Sequence, residues 1–313
     1  MTLILSEEDV VGLLEMKEVL ATVETAFTHQ GLGEVSNTMR TRSVGDSSVL
    51  SVMHANSSYL GRGGLKAYMS SKSGARFVVV LFDGSDSKPL AIMGADVLGR
   101  FRTGAASGVA TKHLYHESSG TLTLFGSGRQ AITQALAIGE VLKVEQVRVW
   151  SPDPNHREAF AHLLAERGFS AHAFDSPEAA IKGASVACSI TSSKLPFLTD
   201  EGLKHVSHLN ICGSNVPDHA EATTAAVGSF DAVIVDDLEQ GKVEYGDLIQ
   251  AEKAGTFSWD SAVELGAVVA GKIQPTGRTL FKSGGAALED VAVASMLYDK
   301  AKSDSRYANV ELV

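Results

Sequence analysis

Cysteine is scarce in this chain: its 313 residues carry two, Cys188 and Cys212, each inside an apolar, strand-like run. A disulfide scaffold is thereby excluded, and both are read as buried free thiols in a reducing cytoplasm. No apolar run reaches the length of a membrane span, and the opening "MTLILSEEDV" is acidic rather than signal-like. Excess positive charge is missing too. The formal net charge of −10 argues against nucleic acid or an anionic membrane surface as partner. An anionic ligand must therefore be caught by a few local cations. No metal-ligand set is read in the sequence.

What is present is apolar and rich in glycine. Hydrophobic residues make up 44% and glycines number 30. That is ample for one large or two ordinary domains, and it fits an α/β protein with many tight strand–helix turns. Residues 1–30 read as a short strand, Thr2–Leu5, followed by helices, with Ser6 placed as a cap ahead of Glu7, Glu8 and Asp9. Residues 39–94 are β-rich: "SSVLSVMHA", "GGLKAYMS", "ARFVVVLFDG" and "PLAIMGA", with "GSDSK" as a hairpin turn between the last two. "RTGAASGVATKHL", residues 102–114, reads as a helix with a face of small residues.

From about Gly120 the rhythm becomes strand–helix alternation. The strands are "TLTLF", "QVRVW", "SAHAF", "SVACSIT", "HLNICG" and "DAVIVDD", with helices such as 129–143 and 155–167 between them. Near-continuous apolar strands in repeated βα units imply a parallel sheet covered on both faces. Two domains are expected, 1–115 and 116–285, with an amphipathic C-terminal helix in 286–313 returning to the first.

The stretch "LFGSGRQAITQALA" opens the second domain. Gly126 permits a tight turn, Gly128 lets a pyrophosphate approach the backbone, and the small Ala131 permits close helix–strand packing. Ser127, Arg129 and Gln130 complete the turn, and free N–H groups at the helix start face the phosphates. A bare structural turn is the alternative. The strand before it, the helix after it and the βα units that follow favour a dinucleotide. At the end of the next strand Ser151 stands where an acid would accept the ribose hydroxyls of NAD. Its neutrality removes a repulsion against a 2′-phosphate, and Arg157 can supply a cation or be an ordinary helix residue. NAD and NADP both stay open, with the lean toward NADP.

A nicotinamide enzyme acting on a small acid needs cations to hold a carboxylate. Three precede the dinucleotide domain: Arg40 in "NTMRTRS", Lys66 in "GGLKAYMS" and Arg102 in "GRFRTGAAS". Arg102 is expected to begin its helix, so that a carboxylate meets its guanidinium and the helix N-terminus together. Lys66, inside an apolar strand, should have a lowered pKa through desolvation. Taken singly, each also has a duller reading as a surface or paired cation.

Together these residues resemble the ornithine cyclodeaminase/μ-crystallin family, which includes archaeal-type alanine dehydrogenases and ketimine reductases. The resemblance runs from about residue 36 to 301. It is carried by "RTGAASGVATKHL", "TLFGSGRQA", "DAVIVDDLEQGKVEYGDL" and "FKSGGAALEDVAVA". It implies a Rossmann-type dinucleotide-binding domain beside an α/β substrate-binding and dimerisation domain, in a homodimer paired through sheets of the first domain. It further implies that Arg40, Lys66 and Arg102 are the carboxylate and acid/base cations. Ser283 and Gly284 match the segment that passes near the nicotinamide.

One departure bears on the reaction. The family's cyclodeaminases carry an aspartate in a motif resembling "CGSNVPDHAE", and here that position is Asn215, which cannot take up a proton. Asn215 can still orient substrate or water. A smaller departure is His54, where relatives often have proline; it is expected to fill a polar gap rather than to take part in catalysis. The resulting expectation is an NAD(P)-dependent oxidoreductase acting on a small imino or amino acid, such as Δ1-piperideine-2-carboxylate or Δ1-pyrroline-2-carboxylate. An alanine-type dehydrogenase, a cyclodeaminase converting ornithine to proline, and a non-catalytic crystallin-like binding protein are the alternatives.

Overall fold

A computed structural model describes residues 1–312. In chain order its first elements are β1 (Thr2–Leu5), α1 (Glu7–Leu13), α2 (Met16–Leu32), β2 (Val35–Asn37), β3 (Thr41–Val44), β4 (Ser48–Ser57), β5 (Arg62–Ser71), β6 (Gly74–Asp83), β7 (Pro89–Gly94) and α3 (Asp96–Leu114). Then come β8 (Ser119–Phe125), α4 (Ala131–Val141), β9 (Lys143–Trp150), α5 (Pro154–Glu166), β10 (Ala171–Ala173), α6 (Pro177–Ile181), β11 (Val186–Ser189), α7 (Asp200–Leu203), β12 (His208–Ile211), α8 (Thr224–Gly228) and β13 (Ala232–Val235). The chain ends with α9 (Leu238–Glu244), α10 (Gly246–Lys253), β14 (Val263–Glu264), α11 (Leu265–Val269), β15 (Thr279–Lys282), α12 (Ala287–Ala301) and β16 (Ala308–Val310).

These elements form two compact units. One joins Met1–Arg102 with Gly285–Val313, and the other is Thr103–Gly284. The chain thus crosses between units inside α3, at Arg102, and again at Gly284–Gly285.

In the first unit the sheet runs β16-β1-β7-β6-β5-β4-β2, with β3 also on β4. Strands β4 to β7 form an antiparallel meander, while β1 joins β7 in parallel. Alternation decides which side chains go inward: Met53 and Ala55 on β4, Lys66 on β5, Val79 and Leu81 on β6, and Ala91 and Met93 on β7 are all buried. Helix α12 packs against α2 and against β4 and β5. Ser6 caps α1 as its sequence suggests: its hydroxyl accepts from the Asp9 amide, and Asp9 accepts in return from the Ser6 amide.

The second unit is a sheet of eight strands, all paired in parallel, in the order β10-β9-β8-β11-β12-β15-β13-β14. From β8 the chain goes to β9 on one side and returns to β11 on the other. The ends of β8 and β11 therefore flank a topological switch point, where ligands bind in such sheets. The small residues of α3 from Gly104 onward are buried in this unit, and a side chain at Gly104 would collide with the backbone of Thr133 on α4. That face serves close packing.

Two sequence expectations need correction. Helix α3 begins at Asp96, so Arg102 lies inside the helix and not at its start. The first-turn amides of Asp96 and Val97 already donate to the Glu7 carboxylate, at 3.2 and 2.6 Å, which removes the helix N-terminus as an anion site for Arg102. His54 fills no polar gap either: it is exposed on the outward face of β4, opposite Leu65.

Candidate active site

The first unit gathers its buried charges in one place. Arg40, Lys66, Arg102, Glu289 and Asp290 are its only buried charged side chains among the described residues, each at 9% exposure or less. Arg40 comes from the segment between β2 and β3, Lys66 from the inward face of β5, and Arg102 from the second turn of α3. The two carboxylates come from the first turn of α12.

The contacts within this cluster are specific. Lys66 Nζ donates to Asp290 Oδ1 at 3.0 Å, and Arg102 Nε donates to the same oxygen at 3.1 Å. Arg102 Nη1 donates to Glu289 Oε2 at 3.1 Å, while the other Glu289 oxygen accepts from the Ala286 amide at 3.0 Å. Arg40 Nη2 reaches the Gly285 carbonyl at 3.3 Å. Charges this deep persist only when paired, because an isolated buried ion costs several kcal/mol, on the order of 3–5 when a partner is removed.

Glycines make the room. A side chain at Gly99 would begin 3.0 Å from Lys66 Nζ. Lys66 also lies over the Phe77 ring, 5.5 Å from its centroid. Burial, and next the Arg102 charge, lower its pKa to about 8, with Asp290 opposing the shift. The lysine expected from sequence to be perturbed is so, and for the expected reason.

The second unit holds the dinucleotide turn. Gly126 follows β8 at φ +105°, and any side chain there would press on the Ile190 carbonyl just past β11. Glycine is obligatory there on both counts. At Gly128 an added Cβ meets nothing within 4 Å, so the turn has open space above it. Gln130 gives α4 no side-chain cap, and Ala131 is fully buried against the sheet. Arg129 and Gln130 are exposed. A glycine turn at the switch point, an uncapped helix start and open space over Gly128 fit a dinucleotide pyrophosphate.

Ser127 Oγ donates to Ser151 Oγ at 2.8 Å, linking this turn to the end of β9. Arg157 is buried rather than solvated: its Nη1 donates to the Ser151 carbonyl at 3.2 Å and its Nη2 pairs at 2.6 Å with the highly exposed Asp175. Asp153 caps α5.

Residues that sequence reasoning did not single out brace the remaining strand ends. Glu221 accepts from Ser189 Oγ (2.5 Å), Thr191 Oγ1 (2.5 Å), the Thr191 amide (2.9 Å) and the Gly213 amide (2.8 Å). It thereby ties the loop after β11 to the loop after β12. Lys282 pairs with Asp247 at 2.9 Å and donates to the Ser214 carbonyl at 2.9 Å, holding the residue before Asn215. Asn215 itself is half-buried on that loop. Asp236, at the end of β13, accepts from Ser283 Oγ (2.8 Å), the Gly284 amide (3.1 Å) and the Tyr245 hydroxyl. Burial, and then the Asp236 charge, push the Tyr245 hydroxyl well above its ordinary range. For Asp236 and Lys282 the sequence signal was an acid or lysine closing an apolar run, "VIVDD" and "TLFK"; Glu221 and Asp247 close no such run.

Comparison with known proteins places this architecture. The family model described as "Ornithine cyclodeaminase/mu-crystallin family" matches residues 1–305. A Δ1-pyrroline-2-carboxylate reductase of Bacillus cereus is 34% identical over 232 residues, 72% of this chain and 70% of that protein. The structure of Thermococcus litoralis Δ1-pyrroline-2-carboxylate reductase with NADH and L-proline superposes with a TM-score of 0.92 at 28% identity, covering 99% of this chain and 100% of the other. An archaeal alanine dehydrogenase dimer with bound NAD gives 0.91 at 28% identity, covering 100% and 99%.

Proposed function

The chain belongs to the ornithine cyclodeaminase/μ-crystallin family, and from that premise we propose that this nicotinamide-dependent oxidoreductase reduces a small cyclic ketimine bearing one carboxylate. Δ1-Pyrroline-2-carboxylate is the first candidate and Δ1-piperideine-2-carboxylate the second. The observation that carries this reading is the gathering of three buried cations, Arg40, Lys66 and Arg102, around the Gly285 carbonyl and the first turn of α12, where a small carboxylate would find charge-assisted donors.

In this reading Arg40 and Arg102 hold the carboxylate by charge-assisted hydrogen bonds, and Lys66 Nζ gives a proton to the imine nitrogen. When bound at Gly126–Ala131, reduced nicotinamide dinucleotide supplies the hydride that completes conversion of C=N to an amine. Ser283 and Gly284, held by Asp236, are the residues that would border its ring, and Asn215 would orient substrate or water. Orientation and charge neutralisation together lower the barrier. The test is loss of nicotinamide absorbance when purified protein meets either imine with reduced cofactor. No loss with NADH or NADPH overturns the reading.

Ser151, neutral where an acid would repel a 2′-phosphate, favours NADPH. Arg157 can serve that phosphate because it lies against the Ser151 carbonyl and its partner Asp175 is an exposed carboxylate that can turn to solvent. The ratio of kcat/KM for the two cofactors decides. A second reading, reductive amination of pyruvate, has its support in the 30% identity to an Archaeoglobus fulgidus alanine dehydrogenase across 96% of both chains. Turnover of pyruvate with ammonia would establish it. Cyclodeamination of ornithine is disfavoured because Asn215 cannot ionise.

A homodimer is part of the proposal. The outward face of β4, β5 and β6 exposes Leu50, Met69, Val78 and Phe82 at 36–46%, and Leu50 lies opposite Met69 in register. An apolar sheet face of this kind suits self-association, and light scattering of purified protein tests it. Both buried thiols are free, which suits a cytoplasmic location.

A further inference from the structure

Asp290 is used by neither cofactor nor carboxylate in the account above, yet it is the hub of the cation cluster. One of its oxygens, Oδ1, accepts from both Lys66 Nζ and Arg102 Nε. Its other oxygen is buried without a hydrogen-bond partner among the described residues. All of its pairing therefore passes through a single atom. That atom joins a strand residue to a helix residue, and the residue bearing it comes from a third element, α12. We propose that Asp290 is a positioning residue: Oδ1 sets the spacing of Lys66 and Arg102, and its carboxylate charge is the counter-charge the two cations share.

The physics follows from what faces Lys66. Arg102 from α3 and Arg40 from the segment before β3 disfavour its charge, Asp290 from α12 favours it, and Glu289, also from α12, pairs with Arg102. From β6 comes the Phe77 ring and from α3 the backbone at Gly99. Neutralising Asp290 would remove the negative charge that Lys66 Nζ touches while the neighbouring guanidinium charges stay, in a water-poor setting. The readiest relief is loss of the Lys66 proton.

Asp290→Asn separates charge from geometry, because the amide carbonyl still accepts at the Oδ1 position. With NADPH and Δ1-pyrroline-2-carboxylate, the alkaline limb of kcat/KM should lie near pH 8 in the parent protein. In the variant it should fall by a full pH unit or more. Asp290→Glu should leave the limb within about half a unit while lowering kcat at least tenfold, with KM changed less, because charge is kept and spacing is not. An unmoved limb in Asp290→Asn, or parental kcat in Asp290→Glu, overturns the proposal. Should Asp290→Asn not fold, the kcat-against-KM split of Asp290→Glu decides alone.

The inference rests on the proposed imine reduction, and its failure is distinguishable from failure of that reading. If the parent protein turns over neither imine, the functional reading falls. The pH dependence of pyrrole-2-carboxylate affinity, measured by calorimetry in parent and Asp290→Asn, still tests Asp290: a limb displaced to lower pH supports it, and an unmoved one overturns it.

Discussion

A side chain at Gly285 would run into the guanidinium of Arg102. Gly285 also sits at φ +82°, where a residue with a Cβ is strained, and its carbonyl accepts from Arg40. Two cations of the site are thus seated against one glycine. Gly285→Ala should raise KM for the imino acid at least tenfold while the KM for cofactor changes less than threefold. The strain adds roughly 1–2 kcal/mol of destabilisation, visible as a Tm lower by several degrees. Equal damage to both KM values would contradict the assignment of Gly285 to the carboxylate pocket.

Gly128 makes the opposite case. No atom lies within 4 Å of an added Cβ there, so alanine costs the fold little. The space it fills is the space assigned to the pyrophosphate. Gly128→Ala should keep its Tm within about a degree while weakening reduced-cofactor binding roughly tenfold or more. Fluorescence titration of the reduced cofactor against the variant measures this. Parental affinity would mean that the phosphates lie elsewhere.

Local chemistry was legible in the sequence, and long-range pairing was not. Thr2–Leu5, the Ser6 cap and the parallel strands from β8 to β13 can all be read from short windows, since period and capping are local. So could Lys66, because a lysine inside an apolar strand must shift. What pairs it could not be read: Asp290 lies 224 residues away, and "LEDVAVA" reads simply as acids ahead of an apolar helix. The true start of α3 was hidden likewise, because its amides are met by Glu7, 89 and 90 residues earlier. Strand β15 escaped notice because it has four residues and one is a lysine, buried only through Asp247.

Acid stability offers a test away from the site. His208 is fully buried in β12, with its ring on Thr279 Oγ1 (2.8 Å) and near Asn210 Oδ1 (3.3 Å), and burial depresses its pKa to about 4. Unfolded, it titrates near 6.5, so between those values the unfolded chain binds a proton that the native state refuses. Stability therefore falls as pH drops from about 6.5 to 4, by roughly 3 kcal/mol at most for this group. Urea unfolding of the parent and of His208→Gln at pH 7 and pH 4.5 should show the gap between them narrowing at the lower pH. A constant gap would mean that His208 takes up its proton as readily in the folded protein as in the unfolded chain.

Ser151 carries the cofactor prediction. It is 5% exposed, receives a hydrogen bond from Ser127 in the glycine turn, and its carbonyl is held by Arg157. A carboxylate introduced there would stand against a 2′-phosphate. Two like charges 4 Å apart repel by about 4 kcal/mol at an effective dielectric near 20, and by about 1 in water. A partly solvated turn lies between those limits, so Ser151→Asp should cut kcat/KM for NADPH by roughly ten- to a hundredfold. NADH should gain or hold, since an acid there can accept its ribose hydroxyls. Arg157→Ala should lower NADPH efficiency in the same direction by removing the cation that holds the Ser151 carbonyl. If both variants leave the NADPH-to-NADH ratio where it was, the adenosine ribose does not bind at the end of β9, and the lean toward NADPH falls with it.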